Sequence, residues 1–222
     1  MGRRIDLKWD EWDPGLDTDE MTLAEVLATM PAANADEVPE IIKKYENPDS
    51  PDALPGAIHL NRHDCIHVLL GRGLHVQDEA FIIGATMGAA SDITDEVIDF
   101  FIKVSTTEYP KHWRFEAAHI ASFRLGVGFA VDNLNNKDLH LIPLEEEPWQ
   151  SKTVAQARKD LGISKHELRA YFRKAEMLVP GTRATRRLDT SAQRPDGALN
   201  RECGPLTLTL SPEGRGNTVR DY

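Results

Sequence analysis

From residue 61 to residue 131 the apolar side chains recur at three- and four-residue intervals and nowhere alternate, and this constrains the fold more than any other feature. The spacing predicts a helix from Asn61 or Arg62 to Leu70, broken near Gly71 and Gly73. A second, almost wholly apolar after Glu79, covers Gln77–Ala90. A third starts from a cap at Asp92 or Thr94 and runs through Val104, and a long one follows Pro110 from about Lys111 to Val131. On the N-terminal side, Thr22 and Glu25 form a capping box before Leu23–Ala28, and Glu37–Tyr45 carries Val38, Ile41, Ile42 and Tyr45 on one face. Thr153–Leu161 and Ser164–Val179, separated by Gly162, complete the set. The expected fold class is all-α: a single multi-helix bundle over residues 21–180, with an acidic N-terminal arm at 1–20 and a disordered C-terminal tail at 181–222.

Chemistry concentrates on the first central helix, in the run His63-Asp64-Cys65-Ile66-His67-Val68-Leu69-Leu70-Gly71. At 100° per residue His67 lies about 40° round the helix from His63, and Asp64 about 60° beyond His67. The three side chains share one arc, so both imidazoles can converge on one ion. Glu79 follows His67 after eleven residues, and the glycine break lets the chain reverse and bring that carboxylate back beside them. Burying three ionisable groups next to Val68, Leu69 and Leu70 is costly without a compensating charge, and a dication supplies one. The expected metal set is therefore His63, Asp64, His67 and Glu79, with zinc first and iron or manganese as alternatives. The competing reading is a hydrogen-bonded or surface His pair, the commoner fate of histidines four apart.

Glu116 and His119 form Glu-x-x-His on the long helix, as Asp64 and His67 form Asp-x-x-His on the first. Two such motifs can hold a second metal in a helix bundle, but a full ligand set is lacking, and a hydrogen-bonded or exposed helical pair is the favoured reading. Ala80, Gly84 and Gly88 make a small-residue ridge that either admits a neighbouring helix or opens a groove for a long apolar ligand, the first being favoured.

The net charge of −10 speaks against general nucleic-acid binding, although residues 181–222 carry seven Arg against five acids. A helix-turn-helix over Ala155–Leu168 is disfavoured too, because Arg158 stands where a small residue should pack. Only Cys65 and Cys203 are present, which argues against a structural disulfide and for a reducing, cytoplasmic setting. Neither a secretory signal nor a transmembrane segment is expected, and peripheral membrane contact stays open.

The spaced motif His63-Asp64-x-x-His67, eleven residues, Glu79 resembles that of the ubiquinone (coenzyme Q) biosynthesis proteins of the Coq-four type. The continuation Val68-Leu69-Leu70-Gly71, the preceding Leu54-Pro55-Gly56, and Pro148-Trp149 followed by Ala157-Arg158-x-x-Leu161-Gly162-Ile163 are similar to family segments in the same order. The likeness is close over 54–90 and loose over about 20–165. The turn Arg72–Asp78, with its additional His75, and the helix Lys165–Val179 depart from the family pattern.

The resemblance implies an all-helical, often homodimeric protein that binds zinc and a prenylated quinone precursor. It implies support for oxidative decarboxylation of that aromatic ring, as a lyase, or organisation of other quinone-biosynthesis enzymes, with Ala80, Gly84 and Gly88 lining the prenyl groove. Two other readings stand beside it: a ferritin-like di-metal oxidoreductase using Glu116 and His119, and a non-catalytic scaffold with a structural metal.

Overall fold

Thr22 and Thr153 cap the first and seventh helices with the same device. In each capping box the threonine hydroxyl accepts from the backbone N–H three residues on, and the side chain there, Glu25 or Gln156, accepts from the threonine's own N–H. The two caps lie side by side, because Leu23 N–H donates to Lys152 O and Val154 N–H to Met21 O. Residues far apart in sequence are thereby tied together at one end of the molecule.

The computed structural model describes residues 11–31, 38–134 and 137–186. Its helices in chain order are α1 (Leu23–Leu27), α2 (Glu40–Glu46), α3 (Leu60–Leu70), α4 (Val76–Gly88), α5 (Asp95–Thr107), α6 (Ala117–Asn133), α7 (Val154–Leu161) and α8 (Lys165–Leu178), with a 3-10 turn at Leu139–Leu141 before α7. No strand occurs among the described residues, so the fold is all-α, and none of their helices is long and apolar enough to cross a membrane.

The apolar helix α4 is the centre. Phe81, Ile82 and Ala85 belong to the cluster that holds α3, α7 and α8, while Ala80 and Met87 belong to the one around Phe101, Tyr109, Phe115 and Phe123. Burial on both sides explains why its sequence has no polar face. α6 lies against it at backbone contact. A Cβ on Gly84 would stand 2.1 Å from Phe123 O, and one on Gly126 would stand 2.1 Å from Phe81 O. The Ala80/Gly84/Gly88 ridge is therefore filled by α6, and the expected prenyl groove along it does not exist; Ala80 is fully buried and Gly88 meets Val127. Close approach of two helices is what small residues four apart achieve here.

The long helix expected from Lys111 begins only at Ala117. Phe115 turns inward and its N–H bonds Ser105 O, while the Arg114 guanidinium donates to Tyr109 O, so residues 111–116 form a turn between α5 and α6.

Both expected appendages contribute to the core where they are described. In the arm, Trp12 and Leu16 are buried, and the Trp12 indole donates to Thr29 Oγ1. Past Pro180 a helical turn at residues 183–186 buries Ala184 and Thr185, whose hydroxyl bonds Val179 O. The remainder of the expected tail, with Cys203 and Leu206–Leu210, lies outside the described residues.

Arg158, the misfit of a helix-turn-helix reading, is a buried clamp. It donates to Leu69 O and Val68 O at the end of α3, to Leu16 O in the arm, and to Asp19. A C-terminal helix end leaves carbonyls without partners, and this guanidinium supplies them.

Candidate metal centre

Three donors meet where the middle of α3 faces the first turn of α4. His63 and His67, one turn apart, stack edge to face with ring centroids 4.7 Å apart. One carboxylate oxygen, Glu79 Oε2, lies 3.5 Å from His63 Nε2 and 3.4 Å from His67 Nε2. One ligand atom from each residue lies within 4.8 Å of the other two, and among the described residues no other three His, Cys, Asp or Glu side chains gather so closely.

The connection between the helices sets this geometry. Gly71 ends α3 in the left-handed conformation at φ 65°, and a Cβ there would collide with Leu16 and with Gly15 O. Only glycine suits both constraints. The next residue then holds His67 twice: Arg72 N–H donates to His67 O, and His67 Nδ1 lies 3.3 Å from Arg72 O. With Nδ1–H donating to that carbonyl, Nε2 is turned toward Glu79. The Arg72 side chain is locked in turn, its guanidinium 3.9 Å from the Phe81 ring centre and 4.4 Å from that of Phe172, with Asp78 at 3.8 Å.

His67 is fully buried, and its Nε2 faces Glu79 Oε2 at 3.4 Å, an ion-pair contact. Burial alone would lower the His67 pKa, but the charge and proximity of Glu79, with Asp64 and Asp78 adding, outweigh it and push it up to about 9. At His63 burial wins over Glu79, and the pKa falls to about 4. The pair thus offers one neutral imidazole and one imidazolium facing a carboxylate that they hold below its ordinary range. A divalent cation in place of the His67 proton would meet two imidazole nitrogens and a carboxylate, a donor set suited to zinc, iron or manganese.

Asp64 is buried on the neighbouring face of α3, and its carboxylate is not part of the cluster. It lines a separate cavity of about 410 Å³ with Leu27, Met30, Asn61, Glu145 and Gln150. Its charge still acts on His67 and also helps burial push the Cys65 thiol up to about 12, which makes that cysteine unreactive.

Glu116 and His119 are not brought to the centre. The Glu116 N–H donates to His119 Nδ1, so the histidine closes the N-terminus of α6, and Glu116 itself is exposed. Sequence periodicity does not reveal Arg72 as a support for His67. Its only signal is a cation set directly after a helix-ending glycine and before an apolar helix.

Comparison with protein-family models, with curated proteins and with solved structures finds no match to this chain in any of the three.

Proposed function

We propose that the chain is a divalent-metal protein of quinone biosynthesis, with His63, His67 and Glu79 holding one zinc ion. The observation that carries this reading is the fully buried His67, whose Nε2 lies 3.4 Å from the same Glu79 oxygen that stands 3.5 Å from His63 Nε2. A dication in place of the His67 proton would bond two imidazoles and the carboxylate at once. Asp64 enters as the nearby negative charge that balances the cation. Iron or manganese would suit the same donors.

A bound dication supplies Lewis acidity toward the oxygen atoms of an aromatic acid. Of the chain's own residues, Arg72 orients His67 through its backbone carbonyl, so that Nε2 faces Glu79. The proposed ligand is a prenylated hydroxybenzoate, the proposed role support of its oxidative decarboxylation, in which a separate oxidant such as dioxygen takes the two electrons because zinc is redox-inert, or its presentation to other enzymes of the pathway, and the proposed setting the cytoplasm or a membrane surface. With α6 filling the small-residue ridge, the prenyl chain must run elsewhere.

Elemental analysis of the purified protein tests the metal, with one ion per chain expected in the wild type and loss in H67A. A wild type that is folded and metal-free contradicts the proposal. E79Q then separates chemistry from scaffolding: a folded variant that fails to restore quinone formation in cells lacking the protein indicates a working metal, and an unfolded one indicates a structural ion.

A further inference from the structure

Arg72 stands between Gly71 and Gly73, and glycine is the residue type that restrains a backbone least. Yet the direction of the Arg72 carbonyl matters, because that oxygen is the partner of His67 Nδ1 at 3.3 Å. What fixes it is the other end of the residue. The side chain is fully buried, and its guanidinium lies between two rings, 3.9 Å from the centre of Phe81 on α4 and 4.4 Å from that of Phe172 on α8. Both distances fall inside the range of about 6 Å over which a cation is held by an aromatic face, and a flat guanidinium can serve two such faces. Asp78, buried and 3.8 Å from Arg72 Nη1, offsets the charge, while the rings confine the group in space. Phe81 shares α4 with Glu79, so a change there would also disturb a donor. Phe172 sits on a helix that carries no donor. That helix is fixed from outside the centre: Lys165 pairs with Asp17 and Asp19 at 3.0 and 2.7 Å, and Tyr171 packs edge to face on Phe129 and donates to Asp132.

We propose that Phe172 is a positioning residue of the His63/His67/Glu79 centre: by closing the second face of the Arg72 guanidinium it holds the Arg72 carbonyl where His67 Nδ1–H meets it, and so keeps His67 Nε2 turned to Glu79. This rests on the metal reading above and extends it to α8, which supplies no donor of its own. The path is short. Phe172 meets the guanidinium, and the Arg72 backbone meets His67 twice, its carbonyl at the ring and its N–H at His67 O. His67 Nε2 then faces Glu79 Oε2 at 3.4 Å. Groups that hold a ligating histidine by its second nitrogen set its tautomer and its orientation, and losing one weakens metal binding about 10–100-fold. Phe172 acts one contact further out, so the lower end of that range is expected.

The test compares zinc affinity with the state of the His67 ring. Zinc binding to metal-free full-length protein is measured by competition with a chromophoric chelator for wild type, F172L, F172Y and A175G, and the exchange rate of the His67 Nδ1 proton is read by NMR in each zinc-loaded protein. F172L keeps an apolar side chain but removes the ring, so zinc binding should weaken about 10-fold and the Nδ1 proton should exchange faster. F172Y restores the ring face and should match the wild type in both. A175G loosens α8 while leaving the ring in place, and should lower the unfolding midpoint with neither readout changed. An F172L that binds zinc as the wild type does, or an A175G that loses as much affinity as F172L, overturns the role of Phe172 and leaves the metal centre standing. A wild type that binds no zinc overturns the metal reading and this inference with it. If F172L does not fold, R72K decides: lysine keeps the charge without the flat face, and undiminished zinc affinity there overturns the inference.

Discussion

At the scale of single residues, the charged groups around the centre are each matched to a partner, and the match has a pH signature. Arg62, on the first turn of α3, donates through Nε and Nη2 to both oxygens of Glu145, at 2.8 and 2.6 Å, and through Nη1 to His140 O. Burial raises the Glu145 pKa, but the bonds and charge of Arg62 prevail and hold it below the usual carboxylate range. A depressed folded-state pKa contributes stability that is fully present above the unfolded value, about 4.3, and is lost as pH falls through the folded one. R62M should therefore cost about 1–3 kcal/mol in urea unfolding near pH 7, and the gap to wild type should narrow below about pH 4.5. A gap that stays constant into acid would show that packing, not charge, sets the loss. The bulk of this was not legible in the sequence: Arg62 and Glu145 are 83 positions apart, and no periodicity links them. His63, His67 and Glu79 were legible because helical spacing and a glycine break act locally. Arg72 was not, since what singles it out is its place between the rings of Phe81 and the distant Phe172.

At the scale of elements, α4 and α6 are held by backbone proximity, and this yields a contrast between glycines. G84A would place a methyl 2.1 Å from a fixed carbonyl oxygen, Phe123 O, so the helices must part, and a loss of about 3 kcal/mol or more is expected. G128A, also on α6, meets nothing closer than the Tyr171 hydroxyl at 3.7 Å and should be neutral or stabilising by up to about 1 kcal/mol. Guanidinium midpoints measure both, and equal effects would contradict the packing described. Helix existence followed from periodicity, and two starts from cap residues: Thr22 caps α1, and of Asp92 and Thr94 it is Thr94 that caps α5. The start of α6 did not follow, because the inward turn of Phe115 depends on the aromatic cluster of α5, a tertiary effect that local pattern cannot carry. The role of the Ala80/Gly84/Gly88 ridge was ambiguous for the same reason: a row of small residues states that something comes close and leaves open whether it is a helix or a ligand.

At the scale of the whole molecule, the arm, α3, α7 and α8 are joined through Arg158, Asp19 and Lys165, which holds the helix carrying both histidines against a rigid frame. A preorganised donor set is what such a frame provides, since ligands fixed by outer partners lose little entropy when an ion binds. The central claim is that both imidazoles and the Glu79 carboxylate bind one ion, and X-ray absorption at the zinc edge of the zinc-loaded protein tests it most directly. The account predicts a first shell of nitrogen and oxygen at about 2.0–2.2 Å, with the outer-shell scattering of two imidazoles in the wild type and of one in H63A. A wild-type spectrum with no imidazole contribution, or one unchanged in H63A, would contradict it.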